Sequence, residues 1–178
     1  MDKLFIEDCL RSMTIIVDTR EQPSERAKRR YKTFGCDYSR QTLDFGDYTY
    51  NFILPDGKPL FSAEGRIQGH AVVERKMDLD ELAACFTHDR KRFQAEFERA
   101  TAAGATCYLL VENASWENLI NGKYKSKFLP KSFLASITAW TARYNLKIIF
   151  CKSETSGRLI KEILYRELKE RLEGGFYG

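Results

Sequence analysis

The sequence predicts an α/β fold: a central mixed sheet flanked by helices. Three observations carry this. Strand-like runs come first in the chain, as TIIVDT (14–19), CDYSRQTL (36–43) and DYTYNFIL (47–54). From residue 71 onward, strand-like and helix-like segments alternate. The run CYLLVEN (107–113) is apolar almost throughout, which suits a buried strand lying parallel to its neighbours.

A chain of 178 residues, 43% hydrophobic and 30% charged, is long enough for one domain with a substantial core. No apolar run reaches the length of a membrane-spanning helix, and the acids in MDKLFIEDCLRS interrupt what would have to be a signal peptide's apolar core. The expectation is an intracellular protein with no membrane partner. Five scattered cysteines, none in a C-x-x-C pair, suggest reduced thiols rather than a disulfide framework or a zinc site. A net charge of +4 permits a polyanionic partner without demanding one.

In chain order, Pro23 and Ser24 can open a helix whose apolar stripe is Ala27, Tyr31 and Phe34 and whose stop is Gly35. PDGKP (55–59) is a turn, after which a strand near LFSA (60–63) should pair back. Residues 64–70 read as a loop and AVVERK (71–76) as a strand. Asp78 then suits an N-cap, with Glu81 three residues on as in a capping box, and Leu79, Leu82, Ala83 and Phe86 form the buried stripe. A second helix runs to Gly104. After CYLLVEN come a basic loop (NGKYKSKFLPK), a helix around SFLASITAWTARY, the strand KIIFC and a helix over 155–172. With no repeat, low-complexity segment or linker, residues 1–178 read as a single domain.

The charged end of AVVERK needs an explanation. Alternation places Val72, Glu74 and Lys76 on one face and Val73 and Arg75 on the other. A carboxylate and an ammonium held side by side on a rigid strand suit metal-assisted phosphodiester cleavage, the acid holding Mg²⁺ while the lysine orients or deprotonates water and offsets phosphate charge. A hard cation needs further acids. Asp47 is one candidate, since Gly46 lets the backbone bend there, and Asp18, at the end of TIIVDT, is the third if its strand adjoins.

An isolated E-x-K is usually a solvated strand end. Here it has company. VDTRE (17–21), TLDFGDY (42–48) and ERKMDLD (74–80) resemble the V-D-x-R-E, G-D and E-R-K-x-x-x-D motifs of the XPF nuclease family, within the PD-(D/E)XK superfamily. The resemblance runs over about residues 14–112 and more weakly to the last helix. It implies a restriction-endonuclease-like mixed sheet, an endonuclease using Mg²⁺ or Mn²⁺, and branched DNA such as flaps or forks as substrate. It also implies that Asp18, Asp47 and Glu74 form the metal site and Lys76 is the catalytic lysine, with Arg20, Glu21, Arg75 and Asp80 at further motif positions. Two departures stand out: a longer gap before Glu74, filled by the PDGKP hairpin, and no paired helix-hairpin-helix domain.

Blander roles compete at several positions. Asp80 suits a first helical turn whatever its function, and Arg20 and Glu21 could pair or cap the next helix. Arg75 could hold an acid such as Asp80 in place. His70 and His88 form no ligand-spaced pair. Of the basic runs, 26–30 reads as a wetted helix face, whereas 90–92 and 123–131 are candidates for phosphate contacts. A homodimer through the apolar faces of the last two helices is a further expectation. Two alternatives to this enzyme are a non-catalytic DNA-junction scaffold and a restriction-type or Holliday-junction nuclease.

Overall fold

A computed structural model describes residues 3–176. Its frame is a six-stranded mixed sheet in the order β2-β1-β3-β4-β5-β6, and the predicted architecture is what is found. The strands are β1 (Thr14–Asp18), β2 (Tyr38–Gln41), β3 (Tyr48–Asn51), β4 (Ala71–Lys76), β5 (Thr106–Glu112) and β6 (Lys147–Cys151). β3 runs antiparallel to both its neighbours, β1 and β4; the remaining pairs are parallel. This one reversal brings the start of β3 to the sheet end where β1 and β4 finish, so Asp47 meets Asp18 and Glu74 there.

The helices are α1 (Lys3–Arg11), α2 (Glu25–Lys32), α3 (Leu79–Phe86), α4 (Arg90–Ala102), α5 (Trp116–Ile120), α6 (Pro130–Tyr144) and α7 (Ser156–Glu173). Strand alternation sorts them into two layers. Val72, Leu109 and Val111 pack with side chains of α3, α4 and α6, including Phe86, Phe97 and Trp140. Val73, Leu110, Ile15 and Val17 pack on the other face with Ala27, Tyr31 and a stripe of α7, Ile160, Leu164, Leu168 and Leu172. Glu74 therefore inherits the α3/α4/α6 face from Val72, while Arg75 inherits the α2/α7 face from Val73.

Local signals act as expected. The Ser24 hydroxyl accepts from the Ala27 N–H, and Gly35 takes φ +69° after α2. Asp78 accepts from the Glu81 N–H at 2.8 Å, and the Glu81 carboxylate reaches back to the Met77 N–H at 2.6 Å, closing the turn from β4 into α3.

Other expectations are corrected. LFSA forms no strand: pairing beyond the turn is limited to a bridge between Ile53 and Pro59, flanked by bonds from the Leu54 N–H to the Lys58 carbonyl and from the Leu60 N–H to the Phe52 carbonyl. The Asn51 side chain takes over there, donating to the Phe61 carbonyl and accepting from its N–H, which diverts the chain from a ladder. Helices α1 and α5 were not anticipated. The innermost stripes of α6 and α7 lie in the two cores, while Leu134 on α6 and Leu159 and Ile163 on α7 are only partly buried. All five cysteines are free thiols. Among the described residues no helix is long and apolar enough to cross a membrane.

Candidate active site

Asp47 enters the site through backbone geometry. Its N–H donates to the Val73 carbonyl at 2.9 Å, and its carbonyl accepts from the Asp18 N–H at 2.8 Å, tying it between β1 and β4. Gly46 just before it has φ +74°, and a Cβ there would lie 2.9 Å from the Val72 Cβ. Only glycine fits that close approach in that conformation. The Asp47 Oδ2 then accepts from the Arg75 N–H at 2.8 Å, which aims the carboxylate at the end of β4.

Glu74 and Lys76 share a face of β4, and the Lys76 Nζ lies 2.5 Å from Glu74 Oε1. Both side chains are largely buried, and the ammonium sits 5.0 Å from the centre of the Phe93 ring. Burial, then the neighbouring charge of Glu74, pushes the Asp47 carboxyl up to about 8, against the opposing pull of Lys76. Glu74 is raised too, chiefly by burial. Burial works against the Lys76 charge, but Glu74 and Asp47 outweigh it and hold the ammonium above its ordinary value. Two crowded carboxylates thus share one lysine.

Glu96 is a further acid that the sequence reading missed. It projects from α4 into the cleft that Gly46 and Glu74 also line, and its carboxyl is raised by burial and by the charge of Asp47. The available signal was an acid at the margin of the buried stripe of Phe93, Phe97 and Ala100.

Asp18 stands apart. It is fully buried, and four N–H groups engage its two oxygens: the Arg20 main-chain N–H at 2.6 Å and Nε at 2.9 Å on Oδ1, and Arg20 Nη2 and the Leu43 N–H, each at 2.9 Å, on Oδ2. In this arrangement the carboxylate orients Arg20 and has no free edge to offer an ion. The guanidinium leans on to Glu96, with Nη1 3.6 Å from Oε1. Arg20 therefore borders the acid cluster, pinned there by Asp18.

Arg75 points into the other layer. It meets Glu21 at 3.1 Å and Glu112 at 3.5 Å, not Asp80 as the sequence suggested. Glu112, fully buried at the end of β5, also pairs with Arg30 at 3.1 Å, and Arg30 donates to the Tyr48 hydroxyl. Arg30 is thus a buried strut beneath the sheet end, which corrects its reading as part of a wetted face. The Asp80 Oδ1 accepts from the main-chain N–H groups of Lys125 and Ser126, and His70 packs against Phe61.

Among the described residues, no group of three His, Cys, Asp or Glu is gathered as a ready-made metal cage. The pair Asp47 and Glu74 nevertheless fits a hard divalent cation: both are oxygen donors, and their raised carboxyls are those that a bound cation would relieve. Mg²⁺ commonly uses one or two protein carboxylates and completes its shell with water and substrate phosphate.

A model of the ERCC4 domain matches residues 17–163. Among solved structures the chain is similar to XPF from Aeropyrum pernix, with a TM-score of 0.58, 17% identity, and coverage of 86% of this chain and 61% of that one. It is likewise similar to XPF from Aeropyrum pernix in complex with DNA, with a TM-score of 0.58, 20% identity, and coverage of 88% and 65% respectively. The chain spans less than two thirds of the length of these XPF chains. A search of curated proteins finds no match.

Proposed function

The chain belongs to the ERCC4 domain family of XPF-type nucleases, and on that premise we propose that it is a divalent-metal-dependent DNA endonuclease acting on branched substrates such as flaps or forks. The observation that carries this reading is the buried cluster of Asp47, Glu74 and Lys76, with the Asp47 carboxyl pushed up to about 8 by burial and Glu74. A carboxylate pair this costly to ionise has a reason to persist if a cation occupies it. DNA as the partner is supported by the similarity to a structure of XPF in complex with DNA.

Asp47 and Glu74 would hold Mg²⁺ or Mn²⁺. When bound, the ion neutralises a phosphodiester oxygen and makes a bound water more acidic. The other roles fall to the chain. Were Glu74 to turn to the ion, the Lys76 ammonium beside it would be free to donate to a phosphate oxygen. As an ammonium it would act there as a donor and charge partner. Arg20, fixed by Asp18 and next to Glu96, would be a second cation for the phosphate. The main-chain N–H of Arg75 aims Asp47 while its guanidinium is held by Glu21 and Glu112.

The test is a cleavage panel. Purified protein is mixed with labelled flap, fork, nicked and unbranched duplexes, with one metal at a time. Cutting of branched DNA with Mg²⁺ or Mn²⁺, lost in Asp47→Ala and Lys76→Met while binding persists, supports the proposal. Binding without cutting under every metal would favour a scaffold, and equal cutting of unbranched duplex at a fixed sequence a restriction-type enzyme.

A further inference from the structure

The loop of residues 121–129, between α5 and α6, lies outside the acid cluster yet is bound to the segment that carries it. Along this loop exposure alternates: Lys123, Lys125 and Lys127 are exposed, whereas Tyr124, Ser126 and Phe128 are partly buried. The rings of Tyr124 and Phe128 pack against Phe133 of α6, with centroids 5.5 and 5.2 Å away, and the Tyr124 hydroxyl donates to the Phe128 carbonyl at 2.7 Å. The aromatic side thus roots the loop in the core, and the lysine side faces water. None of the three lysines has an ion-pair partner among the described residues.

One side chain fixes the middle of this ridge. Asp80 Oδ1 accepts from the Lys125 N–H at 2.8 Å and the Ser126 N–H at 2.6 Å. Asp80 stands in the first turn of α3, four residues after Lys76, so the latch ties the lysines to the segment that presents Glu74 and Lys76. The Asp80 carboxylate faces the loop, not the acids.

We infer that Lys123, Lys125 and Lys127 form a contact surface for the phosphate backbone of DNA, and that Asp80 is a positioning residue that holds this surface in register with the cleavage site. The inference rests on the proposed nuclease reading for its choice of partner. The energetics are those of counterion release: each lysine that neutralises a phosphate contributes to affinity and steepens its fall with salt, without reading sequence. Asp80 needs only to accept two N–H bonds, so an uncharged acceptor of the same shape should serve.

Binding of the full chain to a labelled fork is measured in EDTA from about 50 to 200 mM salt, where no cutting intervenes. Replacing Lys123, Lys125 and Lys127 together by alanine should weaken binding and reduce the slope of log K against log salt by about 1 per lysine. Asp80→Ala should weaken binding and speed tryptic cleavage after Lys125, whereas Asp80→Asn, which keeps the acceptor, should resemble wild type in both. An unchanged slope in the triple variant overturns the contact surface. Asp80→Asn as impaired as Asp80→Ala, or Asp80→Ala with wild-type binding and proteolysis, overturns the latch. Wild-type protein that binds but never cuts sinks the nuclease reading and leaves this one standing; unaltered binding in all variants of an enzyme that cuts sinks this one alone.

Discussion

Lys76 and Glu74, two residues apart on one strand, form a 2.5 Å ion pair with both side chains largely buried. Removing one partner of such a pair leaves the other buried without its counter-charge, at about 3–5 kcal/mol. Lys76→Met should therefore destabilise the metal-free protein at pH 8, by an amount that protonation of the carboxylates reduces, and millimolar Mg²⁺ should restore part of the loss. Cutting should fall by on the order of 100-fold or more. Denaturant melts with and without Mg²⁺, alongside single-turnover cleavage, check both halves.

Asp47 predicts a pH dependence. Its ordinary value is 3.8, and in the fold it is pushed up to about 8 by burial first and Glu74 second. Between these values the folded state binds a proton that the unfolded chain does not. The associated stability is fully present below about pH 4 and is lost as pH rises through about 8. In EDTA, Asp47→Asn should flatten this part of the profile and be more stable than wild type at pH 8. Mg²⁺ should stabilise the wild type more at pH 8 than at pH 5.5, because proton and metal compete for the same oxygens. Identical pH slopes for wild type and Asp47→Asn in denaturant titrations would defeat this account.

Asp18 separates two roles by experiment. Since its oxygens accept four N–H bonds, Asp18→Ala should lower stability by about 3 kcal/mol or more, leaving buried donors unsatisfied and Arg20 unpinned. Mn²⁺ affinity, read by calorimetry on the folded variant, should fall far less than in Asp47→Asn. Equal losses in the two variants would return Asp18 to the ligand set.

Gly46 should not tolerate a methyl group. Gly46→Ala combines a φ of +74° with a Cβ 2.9 Å from Val72, so a loss of about 1–3 kcal/mol is expected. Because the strain sits beside Asp47, metal affinity should drop with it, which melting and Mn²⁺ titration of the same preparation would show.

How much of this was legible depends on distance along the chain. The strands β1, β4 and β5, the Asp78 cap and the stop at Gly35 were readable because a few adjacent residues specify them. Helix α1 is hard to read because, of its nine residues, only Cys9 is buried. The LFSA strand failed because Asn51, ten residues before Phe61, diverts the chain.

At the site, sequence alone determined which chemistry was present: spaced acids and a lysine in ordered motifs, with Glu74 and Lys76 on one face and Arg75 on the other, since strand alternation needs no tertiary information. Tertiary structure decided which acids meet. Glu96 joins because helix packing rotates α4 toward the sheet, Asp18 turns to Arg20 because the backbone after β1 curls back on it, and Arg75 finds Glu112 because β4 and β5 lie parallel. Such pairings depend on how separate elements are set against one another, and that setting is a property of the whole core rather than of any segment.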